Sequence, residues 1–354
     1  MKKDPNYFEL KRFEIIMKNI GDKWVIGMKK FYLNAIVLIC CFSLGFAQNK
    51  ISGAKSDSMK KSNTASPIAA DRGSPSMNPL AREIRTAKVA PGSLRIWWIG
   101  QEGFVIKSSR QIVYIDPYLS DYCERVTRGK PNEHALITRP PLQPSDVDHA
   151  DVVLCTHDHA DHLDPDGIPV IARSSPQARF VVPRCALKTM LRLGVPRDRI
   201  FTLVGDDRLS VGDLEVRAIP AMHETFDRDP EKGFPFLSYI LTLEGLNLFH
   251  AGDTIPYEGQ AARAAEQRID VAFLPINGRD DFRHKLSFAG NFTCAEAVAF
   301  AKAARVGLTV PMHYDKFTIN TGDVNEFGRL ASQSGLPYRV MHVGESFLFP
   351  EPAK

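Results

Sequence analysis

Cysteine is scarce in this chain, and no two cysteines stand in a C-x-x-C pattern. Two of the six, Cys40 and Cys41, lie near the N-terminus, and Cys123, Cys155, Cys185 and Cys294 are irregularly spaced. The sequence therefore spells out no disulfide framework, and Cys155 and Cys294 read as small core residues. An excess of positive charge is also missing once the chain is divided. The formal net charge of +4 hides nine Lys and Arg against four Asp and Glu in the first 50 residues, leaving 36 basic and 37 acidic residues beyond. A nucleic-acid partner is excluded on that balance. No internal repeat is visible, and residues 49–92 lack any sustained apolar period.

What precedes residue 93 reads as leader and linker. Lys29 and Lys30 stand before an apolar run from Phe31 to Phe46, which ends Leu44-Gly45-Phe46-Ala47-Gln48. A basic stretch, an apolar stretch and a small residue at a cleavage point make a signal peptide, with Met28 as an alternative start. A single membrane anchor is the other reading, and the run is short for a span. The expected division is a leader with signal peptide over 1–47, a flexible linker over 48–92 rich in Ser, Ala, Lys and Pro, and one folded domain over 93–350. Export to the periplasm or beyond follows, with membrane contact only through the signal segment unless the substrate is a lipid.

The domain is organised around Thr156-His157-Asp158-His159-Ala160-Asp161-His162. Three imidazoles and the Asp161 carboxylate leave the end of a buried apolar strand, Val152–Cys155. Neutral imidazole and carboxylate are ligands for zinc or manganese, and so many together fit two ions. Asp164-Pro165 reads as the N-cap and first turn of a helix.

The same device recurs down the chain. His223 follows the strand Leu214–Ile219, Asp253 follows Leu246–His250 through Gly252, and His313 follows Gly307–Val310. Further strands are expected at Leu94–Ile99, Phe104–Lys107, Ile112–Ile115, Phe180–Val182, Ile200–Val204, Arg208–Val211, Phe236–Leu243, Val271–Leu274, Tyr338–Met341 and Ser346–Phe349. Helices are expected at Arg184–Leu193, Ala261–Gln267, Thr293–Ala304 and Val324–Gln333. Two β-rich halves with helices outside predict an α/β (α+β) four-layer αββα sandwich. Asp116, ending a strand beside the His157 strand, is expected to orient the metal loop without binding metal. His250 is expected to support Asp253 by a hydrogen bond. The Pro-rich stretch 121–148 is long enough to wall or cover a site. Asn277, Arg279, Tyr257, Asn291 and Tyr314 lie just past strand ends and are weaker substrate-side candidates. His134 and His149 read as surface residues.

His157-x-His159-x-Asp161-His162, then His223, Gly252-Asp253 and His313 in that order resemble the metallo-β-lactamase superfamily. The similarity runs over nearly all of 93–350. It implies the αββα fold and two divalent ions, Zn or Mn. His157, His159 and His223 would hold one ion, Asp161, His162 and His313 the other, and Asp253 both. It also implies hydrolysis by a metal-bridging hydroxide, with Asp161 both ligand and acceptor of a hydrogen bond from the water. WWIGQEGF, THDHADHLD, HAGDT, LPIN with a later GNFT, and PMHYDKF resemble the L-ascorbate-6-phosphate lactonase-like branch, which implies a small ester or lactone as substrate. The alternative is a zinc phosphodiesterase, because the RPPL-x-P stretch at Arg139–Pro144 is similar to that of the N-acylphosphatidylethanolamine phospholipase D branch.

Overall fold

The computed structural model describes residues 78–351, except 224. The signal-like run and the linker as far as residue 77 lie outside the described residues.

Six strands begin the first sheet: β1 (Leu94–Gly100), β2 (Gly103–Lys107), β3 (Ile112–Ile115), β4 (Val152–Leu154), β5 (Arg179–Pro183) and β6 (Ile200–Leu203). The second sheet is β7 (Arg208–Val211), β8 (Leu214–Pro220), β9 (Leu237–Leu243), β10 (Leu246–His250), β11 (Val271–Pro275) and β12 (Leu308–Met312). The chain then returns to the first sheet with β13 (Ser346–Phe349) beside β1. The orders are β13-β1-β2-β3-β4-β5-β6 and β12-β11-β10-β9-β8-β7. Each sheet opens with antiparallel hairpins and ends in parallel pairs, β3 to β6 in one and β10 to β12 in the other.

Both faces of the first sheet are covered, which is why its strands are nearly continuous apolar runs. In β1, Leu94, Ile96 and Trp98 join the larger core cluster that the second sheet shares, while Trp97 and Ile99 join a second cluster on the opposite face. That is the two-residue period of a strand. Helices lie outside the sheets: α1 (Pro79–Thr86), α2 (Tyr122–Thr127), α3 (Gly167–Ser174), α4 (Leu187–Arg192), α5 (Gln260–Ala265), α6 (Asp281–Lys285), α7 (Cys294–Ala303) and α8 (Val324–Gln333). Phe300 of α7 stacks on Phe249 of β10 at 5.3 Å between centroids. Two mixed sheets flanked by helices are the αββα sandwich the sequence predicts.

Three local expectations need correction. The linker does not run to residue 92, because α1 forms within it. The Asn78 side chain caps α1 by accepting from the Leu80 N–H at 2.9 Å, Pro79 starts it, and Ala81 and Ile84 are fully buried. Two buried apolar side chains in eight residues are too few to show a period. Tyr338–Met341 is no strand: only Tyr338 bridges, to Thr309, and the residues after it are irregular, with Met341 buried in the core. Asp164 caps the first turn that leads into α3, as expected: its carboxylate accepts from the Asp166 N–H at 3.1 Å and its carbonyl from the Ile168 N–H at 2.9 Å. The same carboxylate also accepts from the Leu119 N–H, the Ser120 N–H and the Ser120 hydroxyl, which ties the helix start to the loop after β3. The Arg184–Leu193 helix divides into a 3-10 turn over Arg184–Ala186 and the short α4.

Candidate metal centre

Four strand ends and one hairpin turn meet at the centre. The His157 loop leaves β4, His223 follows β8, Asp253 follows β10 and His313 follows β12. Potential ligand atoms of His157, His159, His223 and Asp253 lie within 4.8 Å of one another, as do those of Asp161, His162 and His313. The two groups share Asp253. Its Oδ2 is 3.8 Å from His157 Nε2 and 3.4 Å from both His223 Nε2 and His162 Nε2, while its Oδ1 is 3.5 Å from His313 Nε2. His162 Nε2 is also 3.7 Å from Asp161 Oδ2. These are separations for side chains that share an ion, too long for hydrogen bonds.

The imidazoles are held by their outer nitrogens. His162 Nδ1 donates to Asp116 Oδ2 at 2.9 Å. The Thr156 hydroxyl donates to the same carboxylate at 2.7 Å and accepts from His157 Nδ1 at 3.1 Å. His223 Nδ1 donates to the Gly290 carbonyl at 3.0 Å. Each contact fixes the tautomer that aims an Nε2 lone pair into the centre. His157 Nε2 and His162 Nε2 are buried there without a hydrogen-bond partner. Two orphaned nitrogens among five imidazoles and two aspartates fit divalent metal ions.

The electrostatics agree. Burial, then the neighbouring imidazoles, hold His157 well below the ordinary histidine range, and burial lowers His223 and His313. All three are thus neutral and able to ligate. Burial alone would raise Asp253, but His162 outweighs it: Asp253, Asp161 and Asp116 hold that imidazole well above the ordinary histidine range against burial, and it in turn holds the Asp253 carboxyl well below its usual value.

Close approach of the loops demands special backbone. Gly252 has φ of 58°, and a Cβ there would lie 2.9 Å from the Thr156 Cβ and 3.0 Å from the Leu237 carbonyl oxygen. Glycine is what lets Asp253 reach the His157 loop. Asp116 and His313 also take positive φ, 44° and 63°, each immediately past an apolar strand. Strained positions of this kind cluster at working sites.

The remaining candidates divide. Asp116 stands where expected, accepting from Thr156 and His162. His250 does not bond Asp253. Its Nε2 donates to the Glu102 carbonyl at 2.9 Å and its Nδ1 accepts from the Gly252 N–H at 3.2 Å, so it braces backbone on both sides. Asn291 reaches the centre, its amide donating to Asp253 Oδ1 at 2.7 Å. Arg279 is committed to Glu296 and the Asn291 carbonyl. Asn277 donates to Asn320. The Tyr257 and Tyr314 hydroxyls donate to the carbonyls of Pro220 and Met341. These four side chains hold loops together.

Some residues were not foreseen. Gln101 and Glu102, in the turn between β1 and β2, are fully buried beside the ligands. Two polar residues between glycines look like an exposed hairpin turn, and only the flanking apolar strands hint otherwise. His134 is half-buried at the cavity wall. It packs on Phe288 and Phe317 at 4.9 and 5.0 Å between centroids. His149 is buried against the Tyr114 hydroxyl at 2.9 Å.

A cavity of about 330 Å³ opens onto His159, Asp161, His223 and Asp253. Tyr122 and Val126 of α2, with His134, supply one wall, so the 121–148 stretch does wall the site. Leu286 and Phe288 supply another, and no Lys or Arg is among the described residues lining it.

Residues 111–314 match the family described as Beta-lactamase superfamily domain. The chain belongs to that family. It is a metal-dependent hydrolase of the metallo-β-lactamase superfamily. Among curated relatives, it is 25% identical over 306 residues to the probable L-ascorbate-6-phosphate lactonase of Salmonella paratyphi B, covering 77% of this chain and 85% of that one. Among solved structures it resembles Igni18, a metallo hydrolase from the archaeon Ignicoccus hospitalis, with a TM-score of 0.53 at 23% identity, covering 73% of this chain and 98% of that one. It also resembles an isothiocyanate hydrolase from Delia radicum gut bacteria, with a TM-score of 0.58 at 15% identity over 72% and 98% of the two chains. The structural likenesses speak to the fold alone.

Proposed function

We propose that the chain hydrolyses a small uncharged ester or lactone at a two-metal centre. His157, His159 and His223 would hold one ion, Asp161, His162 and His313 the other, and Asp253 both. The observation that carries this reading is the pair of ligand clusters sharing Asp253 on the floor of a cavity without cationic lining. Divalent ions bound there would supply Lewis acidity toward a carbonyl oxygen and an acidified water as nucleophile. Asp161, the partly exposed carboxylate of the set, can accept a hydrogen bond from that water and orient it toward the cavity. Asp116 and the Gly290 carbonyl keep the imidazoles in their ligating tautomers. Tyr122, Val126, Leu286 and Phe288 cover the apolar part of an acyl group and exclude bulk water.

The lactonase-like relative supports a lactone. The wall gives a phosphate carried on the substrate no Lys or Arg partner, which favours an unphosphorylated one. Phosphodiester cleavage is the second reading, favoured by the apolar wall. A hydrolysis screen of lactones, simple esters and phosphodiesters with Zn or Mn restored separates them. Activity on esters or lactones that needs added metal and disappears in His159→Ala is expected. Activity on phosphodiesters alone would overturn the proposal. Export is a further proposal resting on the apolar run before Gln48, and an intact N-terminus in the protein isolated from its own cells would overturn it.

A further inference from the structure

The turn between β1 and β2 brings more chemistry to the centre than a hairpin needs. Gln101 and Glu102 are both fully buried, and their backbone is pinned on each side. The Gln101 carbonyl accepts from the His313 N–H at 3.0 Å and from Trp98 Nε1 at 3.1 Å. The Glu102 carbonyl accepts from His250 Nε2 at 2.9 Å. Gln101 is held at φ of 55°, uncommon for a residue with a side chain, and a Cβ at Gly103 would lie 2.8 Å from Ile99 Cγ1. The turn is fixed, so neither side chain can swing out to water.

Their ends point into the ligand set. Gln101 Nε2 donates to Asp161 Oδ2 at 2.8 Å and lies 2.9 Å from His313 Nε2. Glu102 has both carboxyl oxygens buried with no hydrogen-bond partner. Its Oε2 is 3.7 Å from His162 Nδ1, and ligand atoms of Glu102, Asp253 and His313 lie within 4.8 Å of one another. The other group it could join, with Asp116 and His250, is already spent. Asp116 accepts three hydrogen bonds, and both nitrogens of His250 are engaged. A buried carboxyl with no donor is unfavourable, and a bound cation would offset that cost. Only the side facing Asp253 and His313 remains open to one.

We propose that Glu102 is a further ligand of the ion held by Asp161, His162 and His313, with Gln101 positioning Asp161 beside it. The proposal rests on the two-metal reading above. It makes the two positions unequal. The first offers three imidazoles and one shared carboxylate. The second offers two imidazoles and the carboxylates of Asp161, Asp253 and Glu102. Oxygen-rich sets of higher coordination number favour manganese or iron over zinc, so the second position is expected to take the harder ion.

The test is metal titration of the full chain, stripped with chelator and then loaded with Mn²⁺, Zn²⁺ or Co²⁺, followed by calorimetry, metal analysis and visible absorption of the Co²⁺ form. Wild type is compared with Glu102→Gln, which keeps the shape, and Glu102→Asp, which keeps the charge. Two ions are expected in wild type. In Glu102→Gln the weaker ion should lose at least about 100-fold in affinity, beyond the roughly 10–100-fold of an outer hydrogen-bond partner. The Co²⁺ bands of that ion should gain intensity as its coordination number falls, and Glu102→Asp should recover part of the affinity. Thermal melting of the metal-free variants, unchanged or raised, shows that the fold is intact. Wild-type affinity and spectrum in Glu102→Gln overturn the proposal. A wild type that takes one ion, weakened in Glu102→Gln, keeps Glu102 as ligand and overturns the two-metal reading alone.

Discussion

Single residues at this centre are decided by what surrounds them. Lys316, three positions past His313, shows the cost of burial most plainly. It is 1% exposed, its ammonium lies 5.1 Å from the centroid of the Tyr118 ring, and burial pulls it from the usual lysine value down to about 8. A base whose folded value is depressed binds fewer protons when folded than when unfolded. Below pH 8 both states are protonated and the full penalty stands; between about 8 and the ordinary lysine value stability rises with pH. The penalty at pH 7 is about 3 kcal/mol by linkage, less about 1 kcal/mol for the contact with the ring. Lys316→Met is therefore expected to stabilise the protein by about 2 kcal/mol at neutral pH, with the gain shrinking above pH 8. Denaturant unfolding at several pH values measures it, and a gain that ignores pH would refute the assignment to burial of the ammonium.

At the scale of elements, the site depends on strand ends, and its support reaches back to α1. That helix buries Ala81 and Ile84, and the carbonyls of Ile84 and Arg85 accept from the Lys107 ammonium of β2 at 2.7 Å each. Glu83 accepts from Trp97 Nε1 at 3.1 Å. A chain starting at residue 93 should be less stable than one starting at residue 77 by about 3 kcal/mol or more, from lost apolar burial and unpaired polar groups. Equal melting of the two would show α1 to be ornamental. Of the elements, the apolar strands were legible because a sheet covered on both faces needs continuous apolar residues. The helix α1 was not, because its pairing with β1 and β2 lies in tertiary contacts that no local period records. Tyr338–Met341 misled for the converse reason: its composition suits a strand, but only Tyr338 meets an open edge.

For the whole molecule, the centre joins the two sheets. His157, His159, Asp161 and His162 hang from the first, and His223, Asp253 and His313 from the second. Ions bound between them, as proposed, would stabilise only the folded chain. Loading to about 1,000 times the dissociation constant is worth roughly 4 kcal/mol per ion. Stripping with chelator should lower the melting temperature and metal should restore it; a melting temperature indifferent to metal would count against ions shared between the sheets.

The sequence by itself determined the sandwich and the seven His and Asp positions that gather at the centre. Each follows an apolar strand, and a side chain at such an end faces the edge where the loops gather. Only the tertiary structure decided what surrounds them. It turned Arg279, Tyr257 and Tyr314 from substrate candidates into loop fasteners, since a hydroxyl or guanidinium beside a strand end bonds whichever carbonyl or carboxylate folding brings near. It also buried Gln101 and Glu102. A polar pair in a hairpin turn faces water unless a second sheet closes over it, and that closure belongs to the packing of the whole chain.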